Sequence, residues 1–594
     1  MPLLQIKDLQ VDFITPAGPV PALHRISLDV DRGEMVALVG ESGSGKSVSA
    51  LSILRLLPPT VTRTTGSILL ERAASPVDLL QANLPLLRSI RGNDISMIFQ
   101  EPMTSLNPVF TCGSQIAETL RLHRGLSREA ARREAIASLE QVLLDRPAQI
   151  FDRYPHQLSG GQKQRVMIAM AICCRPALLI ADEPTTALDV TVQQGILGLL
   201  KDLQRERNMG VLFITHDLGL VADTCDRAIV LYKGRILEEG RVDRVFEHPA
   251  HPYTKALLAC RPLGYPKGQR LPVVEDFWSG DPDDNPTPTP TPTPKPTAPT
   301  AKPPAPTAPQ TTPPVPAAKP PSPLLLVEDL KVWYPGKRAW FSPPPPPVKA
   351  VDGVSFAVNE GEILGLVGES GCGKTTLGRA LLRLIRPTSG KILLRGEDLL
   401  ALKPKSLRAR RQQLQIVFQD PYAALNPRMT IGRALTEVLE TRQVNEPRPV
   451  TQTEATNRLE TQARDLLQKV QLPADFFHRY PHECSGGQRQ RAVIARALAM
   501  DPGFILFDES VSALDVSVQA QILNLIGDLK REFGFTAVFI SHDLSVVRYL
   551  CDRIMVMRAG RIVEEGAAEE VYTHPRADYT RILLEAIPGR GRKI

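Results

Sequence analysis

An internal duplication is the feature that most constrains this chain. Ser159 and Ser485, each opening Ser-Gly-Gly-Gln, lie 326 residues apart. An eight-residue segment also occurs twice, as Gly40-Glu41-Ser42-Gly43-Ser44-Gly45-Lys46-Ser47 and as Gly368-Glu369-Ser370-Gly371-Cys372-Gly373-Lys374-Thr375. Its two lysines are 328 residues apart, so the halves stay nearly in register. This period is too long for a solenoid repeat and predicts one whole domain present twice.

Prolines mark the boundary between the halves. Eighteen of the 54 prolines lie in residues 281–323, interleaved with Thr, Ala and Lys. Such a segment has too little apolar content to fold and favours extended polyproline II. We therefore predict a first domain at 1–262, a Pro/Thr-rich linker at 263–323 with a disordered core at 281–323, and a second domain at 324–594.

Composition argues against several classes of protein. No stretch approaches the ~18–20 apolar residues of a membrane-spanning helix, and no secretory leader is visible at the N-terminus. The formal charge is only +7, without a dense basic run before the last residues, which gives little support to nucleic-acid binding. None of the eight cysteines forms a Cys-x-x-Cys pair, which argues against zinc. Any work at a membrane is expected on its face.

The alternation of short apolar strands and helical segments predicts an α/β fold with a mostly parallel sheet in each half. We expect strands at Ile26–Val30 and Met35–Val39 and helical structure over Ser127–Leu144. Met35–Val39 and Ile363–Val367 each run straight into a glycine-rich loop.

Gly-x-x-x-x-Gly-Lys-Ser/Thr between a strand and a helix predicts a phosphate-binding loop. Glycines allow a tight turn whose backbone N–H groups face phosphate oxygens. Lys46 and Lys374 are expected to reach the β- and γ-phosphates, and Ser47 and Thr375 to bind Mg²⁺. The remaining predicted contacts to the nucleotide are Gly40, Ser42, Gly43, Gly45, Gly368, Ser370, Gly371 and Gly373.

An Asp-Glu pair ends an apolar strand in each half. Asp182 and Asp508 are expected at the carboxyl end of the sheet, beside the phosphate loop, where an oxygen ligand suits Mg²⁺. Glu183 and Glu509 are expected to act as the base, or to position water, for attack on the γ-phosphate.

Ser-Gly-Gly-Gln stands 23 residues before Asp182 and again 23 before Asp508, and this combination resembles the signature of ABC-type ATPases. The resemblance implies two tandem P-loop nucleotide-binding domains, each with a parallel sheet core, an antiparallel β subdomain and a helical subdomain. It also implies ATP and Mg²⁺ as cofactors. The implied nucleotide contacts of the signature are Ser159, Gly160, Gly161, Gln162, Ser485, Gly486, Gly487 and Gln488.

The resemblance implies further roles by position. Gln100 and Gln419 match the Q-loop glutamine and are expected both to ligate Mg²⁺ and to act in catalysis. The other matches are the switch histidines His216 and His542, the D-loop aspartates Asp189 and Asp515, and the adenine-stacking aromatics Phe13 and Tyr334. In this family one domain's loop meets the other's signature, so Ser159 and Gly161 would face ATP held by Lys374.

Three segments resemble the ATPase subunits of oligopeptide, dipeptide and nickel importers, and the fused form resembles glutathione and microcin-type peptide importers. They are Phe99–Pro108 with its repeat Phe418–Pro427, Arg-Tyr-Pro-His before each signature, and His-Pro followed by Tyr-Thr near the end of each half. The resemblance implies two multi-span permease subunits, an extracytoplasmic solute-binding protein and a peripheral place on the cytoplasmic face of the inner membrane, without nucleic acid. Only Cys260 follows Tyr253 before the linker, so we expect no iron–sulfur cluster.

Two other functions remain as alternatives. A tandem ABC ATPase acting on ribosomes typically has a charged helical linker, and a DNA-repair ATPase needs long coiled-coil or zinc insertions. Neither feature is present in the sequence. The transported substrate stays open among peptide, glutathione, nickel complex and opine, since the ATPase never holds it.

Overall fold

A computed structural model describes most of the chain. The described residues are 2–72, 75–100, 105–185, 190–278, 323–335, 346–442, 452–512 and 514–590. Most of the predicted linker, part of the segment after Gln100, and Asp189 lie outside them.

The first half contains two sheets. Its strands are β1 (Leu4–Thr15), β2 (Gly18–Val30), β3 (Met35–Val39), β4 (Thr62–Leu70), β5 (Val77–Asp78), β6 (Ile95–Ile98), β7 (Leu178–Asp182), β8 (Gly210–Thr215), β9 (Arg227–Tyr232) and β10 (Arg235–Arg241). An antiparallel sheet has the order β2-β1-β4-β5, and a six-stranded sheet has the order β10-β9-β3-β8-β7-β6. In the larger sheet every neighbouring pair is parallel except β10 with β9.

Ten α-helices of the first half are described. They are α1 (Lys46–Ile53), α2 (Leu84–Ile90), α3 (Cys112–Arg124), α4 (Arg128–Gln141), α5 (Pro147–Phe151), α6 (Gly160–Ile172), α7 (Val190–Arg207), α8 (Leu218–Thr224), α9 (Val242–Glu247) and α10 (Pro252–Ala259). Helices α3 to α6 form the helical subdomain, with α4 packed on α3, α5 and α6.

The second half repeats this architecture. Its strands are β11 (Pro323–Tyr334), β12 (Val348–Asn359), β13 (Ile363–Val367), β14 (Ser389–Leu394), β15 (Glu397–Asp398), β16 (Leu414–Val417), β17 (Phe504–Asp508), β18 (Thr536–Ile540), β19 (Arg553–Arg558) and β20 (Arg561–Ala567). The sheet orders are β12-β11-β14-β15 and β16-β17-β18-β13-β19-β20. The α/β prediction, with a mostly parallel core sheet and an antiparallel sheet in each half, is confirmed.

Ten α-helices of the second half are described. They are α11 (Lys374–Leu381), α12 (Pro404–Arg411), α13 (Pro421–Ala424), α14 (Ile431–Arg442), α15 (Gln452–Lys469), α16 (Gly486–Leu498), α17 (Val516–Phe533), α18 (Leu544–Leu550), α19 (Ala568–Thr573) and α20 (Asp578–Glu585). Among the helices of the described residues, none is long and apolar enough to cross a membrane.

The central strands position the site. All five residues of β3 are buried, and β3 lies between β8 and β9. Strands covered on both faces need continuous apolar sequence, which explains the Met-Val-Ala-Leu-Val run. The carboxyl end of β3 leads into the phosphate loop, and β7, two strands away in the sheet, ends on Asp182. Parallel strands therefore deliver both groups to one edge of the sheet.

Segments that follow the two domains' last helices cross to the opposite half. Within residues 263–278, which the sequence assigned to the linker, Leu271 is buried and bonded to Asn524 of α17 in the second half, while Trp278 packs on Tyr232 of the first half. In return, the Gly589 N–H donates to Asp223 of the first half at 2.9 Å. Each half therefore contributes a C-terminal segment that contacts the other half. This segment, together with the last helix before it (α10 or α20), is here called the tail of that half.

Candidate functional site

The first phosphate loop lies between β3 and α1. Gly45 caps α1 with φ +106°, a conformation that favours glycine. The buried Lys46 donates from Nζ to the carbonyl oxygens of Gly40 at 2.7 Å and Glu41 at 2.8 Å. The lysine is thus folded back over its own loop, with its charge held where an anionic group would bind.

The second loop, between β13 and α11, repeats this arrangement. Lys374 Nζ donates to the carbonyl oxygens of Gly368 at 2.7 Å and Glu369 at 2.9 Å. Gly373 has φ +110°, and the described atoms leave no room for a Cβ there because the Ala350 carbonyl oxygen lies against it. Both loops therefore depend on glycine for the turn into the helix.

A hydroxyl and a carboxylate meet beside each lysine. Ser47 Oγ donates to Asp182 Oδ1 at 3.3 Å, and Thr375 Oγ1 donates to Asp508 Oδ1 at 3.1 Å. Burial raises the pKa of the Asp182 carboxyl to about 6, against the opposing bond from Ser47. Burial also raises the pKa of Asp508. Each half therefore holds a buried carboxylate whose charge a cation would stabilise.

The predicted catalytic carboxylate of the first half is held by two side chains. Gln100 Nε2 donates to Glu183 Oε2 at 2.8 Å, and His216 Nδ1 lies 3.1 Å from Glu183 Oε1. Burial alone lowers the pKa of His216, but the bond to Glu183 and its charge outweigh burial, so the pKa is raised. Glu183 itself has φ +47°, a strained conformation for a non-glycine residue.

The second half differs in the distance between the switch histidine and the catalytic carboxylate. Gln419 Nε2 donates to Glu509 Oε2 at 2.9 Å, as in the first half. His542 Nδ1, however, lies 3.9 Å from the Glu509 carboxylate, and Lys374 Nζ also lies 3.9 Å from it. Glu509 has φ +48°, so the backbone strain is common to both halves.

Each Ser-Gly-Gly-Gln opens a helix with a reciprocal cap. Ser159 Oγ accepts from the Gln162 N–H at 3.3 Å, while the Ser159 N–H donates to Gln162 Oε1 at 3.2 Å. Ser485 and Gln488 form the same pair of bonds at 3.3 and 2.9 Å. Gly160 and Gly161, and in the second half Gly486 and Gly487, form the first turns of α6 and α16. The predicted contact of each signature with the opposite nucleotide stays a prediction.

The two halves meet at their phosphate loops. The Ser42 N–H donates to Asp515 Oδ2 of the second half at 3.0 Å, and Ser517 Oγ donates to Glu41. In the other direction Thr191 Oγ1, on α7 of the first half, donates to Glu369 Oε1 at 2.8 Å. Each loop is therefore in contact with the beginning of the other half's helix after the Asp-Glu strand.

The predicted adenine-stacking residues occupy equivalent places in the antiparallel sheets. Phe13 of β1 pairs with Val20, and Tyr334 of β11 pairs with Val348. Phe13 is half-buried, whereas Tyr334 is 41% exposed. Both aromatics have surface available for stacking, and their role stays a prediction.

The sequence reasoning missed one pair of site residues. The Glu41 N–H donates to the hydroxyl of the buried Tyr253 at 3.3 Å, and the Glu369 N–H donates to the Tyr579 hydroxyl at 3.1 Å. Both tyrosines belong to the His-Pro…Tyr-Thr segments, which the sequence analysis used only to place the chain among importers. Their recurrence in both halves was the available signal.

Two phosphate loops, each with an acid pair and a signature helix, define a tandem ATP-binding cassette protein. The profile described as ABC transporter matches residues 23–186 and 351–512. The profile described as oligopeptide/dipeptide transporter, C-terminal region, matches residues 237–276 and 563–593. The chain belongs to the ABC transporter family and is an ATP-hydrolysing subunit of an importer, which confirms the importer interpretation.

Relatives match this chain over almost all of its length. The chain is 45% identical over 593 residues to the glutathione import ATP-binding protein GsiA of Escherichia coli K12, covering 99% of this chain and 89% of that protein. It is 45% identical over 589 residues to the GsiA protein of Salmonella typhimurium LT2, with the same coverage. A solved dimeric ATP-binding cassette, MJ0796 with ADP and Pi, is 28% identical, covers 41% of this chain and 98% of its own, and has a TM-score of 0.36.

Proposed function

We propose that this chain energises the import of peptides or similar small solutes such as glutathione, while bound to the cytoplasmic face of the inner membrane. Its partners would be two multi-span permease subunits and an extracytoplasmic solute-binding protein. The observation that carries the proposal is the occurrence, in each half, of a complete phosphate loop, acid pair and oligopeptide-transporter tail. The peptide or glutathione substrate is supported by the relatives named for glutathione import.

Mg²⁺ would complete each nucleotide site. Ser47 and Asp182, with Gln100, supply the oxygen ligands that Mg²⁺ prefers, and Thr375, Asp508 and Gln419 would do so in the second half. The raised pKa of the buried Asp182 fits this use, because a buried carboxylate gains most from a nearby cation. The ion, when bound, would neutralise charge on the phosphates.

The side chains around Glu183 suit it to orient the attacking water. The Gln100 amide and the His216 ring each hold one oxygen of its carboxylate, which fixes the direction of the remaining lone pairs. Glu509 would act in the same way, held by Gln419. The Lys46 and Lys374 ammonium groups would exchange their carbonyl partners for phosphate oxygens, a preorganised electrostatic contribution.

Both halves would contribute to each ATP site. Support comes from the bonds of Ser42 to Asp515 and of Thr191 to Glu369, which join each loop to the opposite half. The serine and glycines of each signature would then contact the γ-phosphate bound by the other half. We propose domains at 1–262 and 324–594, joined by a linker at 263–323 that raises their effective concentration.

The permease would dock beside the glutamine of each half. Val109 and Phe110, just after the first such segment, are 70% and 54% exposed. Tyr422 in the second segment is 46% exposed. Exposed aromatic and aliphatic side chains near one another favour a protein contact. Glu101 lies outside the described residues, and its acidic counterpart Asp420 caps the short α13.

Co-purification tests the proposed partners. The tagged Glu183→Gln/Glu509→Gln chain, which should retain ATP, is isolated with ATP from gently solubilised membranes, and companions are identified by mass spectrometry. Two multi-span permease subunits are expected, and their identity would indicate the binding protein and substrate class. A Lys46→Ala/Lys374→Ala chain is the matched control for nucleotide dependence. Ribosomal proteins without permeases would contradict the proposal and favour a role in translation.

A further inference from the structure

The tail of each half contacts that half's own phosphate loop. Tyr253 lies at the start of α10, is fully buried, and accepts the Glu41 N–H at 3.3 Å. Tyr579, at the start of α20 and 6% exposed, accepts the Glu369 N–H at 3.1 Å. The same contact therefore occurs twice, across 212 and 210 residues of sequence.

The glutamate that each tyrosine holds also contacts the other half through its side chain. Glu41 accepts a hydrogen bond from the Ser517 hydroxyl. Glu369 accepts one from the Thr191 hydroxyl at 2.8 Å. Backbone and side chain of one residue thus connect the tail, the phosphate loop and the opposite half.

The surroundings hold each tyrosine ring independently of its hydroxyl. The Tyr253 ring packs against Tyr232 and Trp278, with ring centroids 4.7 and 5.6 Å apart. The Tyr579 ring lies under the Arg558 guanidinium, 4.8 Å from its centroid. A phenylalanine would preserve this packing and remove only the hydrogen bond to the loop.

We propose that Tyr253 and Tyr579 are positioning residues: their hydroxyls fix Glu41 and Glu369 so that each phosphate loop is presented, already engaged with the other half, to ATP. The tails assigned to the oligopeptide-transporter region therefore act on nucleotide affinity. The inference rests on the proposed catalysis by both halves, and it adds a role that the loop and signature residues do not supply.

The test is the Tyr253→Phe/Tyr579→Phe chain, with Tyr232→Phe as the matched control. The control removes a hydroxyl from the same aromatic cluster, one that makes no hydrogen bond among the described residues. We expect the KM for ATP to rise about threefold to tenfold, as for the loss of one neutral hydrogen bond per site, with kcat within about twofold. The Kd for a fluorescent ATP analogue, measured in the Glu183→Gln/Glu509→Gln background, should rise equally. The control should match wild type.

A purely structural role predicts a different pattern. A lower melting temperature and lower kcat at unchanged KM would overturn the inference, as would wild-type KM in the double variant. Ser517→Ala acts on the same glutamate as Tyr253→Phe. The fold-increase in KM of the combined variant should therefore be smaller than the product of the two single fold-increases. Ser517→Thr keeps the hydroxyl. A full product would overturn the shared action through Glu41. If wild type hydrolyses ATP and Glu183→Gln/Glu509→Gln does not, the proposed function stands whatever the tyrosine variants do to the KM.

Discussion

Removal of one buried amide should release the first half's tail from the second half. Asn524 of α17 is 5% exposed and pairs with the backbone of Leu271, accepting its N–H at 2.9 Å and donating to its carbonyl at 2.8 Å. Tyr549 also donates to the Asn524 side chain at 3.2 Å. Asn524→Ala should therefore loosen the segment, so that it opens more often, while leaving the two domain cores intact.

The cost follows from the groups left without partners. Truncation of Asn524 leaves the N–H and the carbonyl of Leu271 without their hydrogen-bond partner, and Leu271 is only 1% exposed. Each buried unpaired backbone group costs about 1–3 kcal/mol, and about 3 kcal/mol in total allows for partial relaxation. Since about 1.4 kcal/mol is a factor of ten, the open form of the tail should become about a hundredfold more populated.

Trypsin measures that opening directly, because its site after Arg270 is the peptide bond whose N–H Asn524 binds. When opening is fast relative to cleavage, the cleavage rate follows the open population. We expect cleavage after Arg270 to be about a hundredfold faster in Asn524→Ala than in wild type. Asn457→Ala, on an exposed face of α15, is the control and should cleave like wild type. An increase below threefold would refute the docking energetics.

Two further predictions concern the loops and the switch histidine. Gly373→Ala should lower the melting temperature well beyond Gly371→Ala: both have positive φ, costing about 1–2 kcal/mol for alanine, but only Gly373 also lies against a backbone carbonyl. Equal melting temperatures would contradict this. Because the pKa of folded His216 is raised, its stabilisation is complete below its unfolded pKa, about 6.5, and is lost as pH rises through the folded value. In denaturant titrations without nucleotide, the free energy of unfolding of wild type should therefore exceed that of His216→Gln by less at pH 9 than at pH 6. A difference that stays constant with pH would contradict the raised pKa.

The sequence predicted the central strands better than the edges. Both ends of the strand Met35–Val39 were predicted correctly, because a strand buried on both faces is continuously apolar. Strand β2 was predicted only as Ile26–Val30 but begins at Gly18 and includes Pro19 and Pro21. Because β2 is an edge strand of its sheet, prolines are tolerated there.

A helix boundary was also missed. Helical structure was predicted over Ser127–Leu144, whereas α4 ends at Gln141 and Leu143 takes φ +56°. No glycine follows Gln141 in residues 142–146 to mark this end. Boundaries of this kind are the least predictable part of a helix.

Local motifs indicated the loop and acid residues, the family resemblance implied Gln100 and His216 by position, and the structure brings Gln100, Glu183 and His216 together as one group. The contacts of Tyr253 and Ser517 with Glu41 could not be read from the sequence, because they join residues 212 and 476 positions apart. Such contacts depend on how the tail and the opposite half are placed, which no local pattern encodes.

Single-turnover hydrolysis tests the central claim, that both halves are competent ATP sites. Glu183→Gln, Glu509→Gln and the double variant are each mixed with saturating ATP and Mg²⁺, and phosphate released per chain is counted in the first turnover. Two phosphates are expected for wild type, one for each single variant and none for the double variant. One single variant releasing none while the other equals wild type would contradict it and leave a single catalytic half.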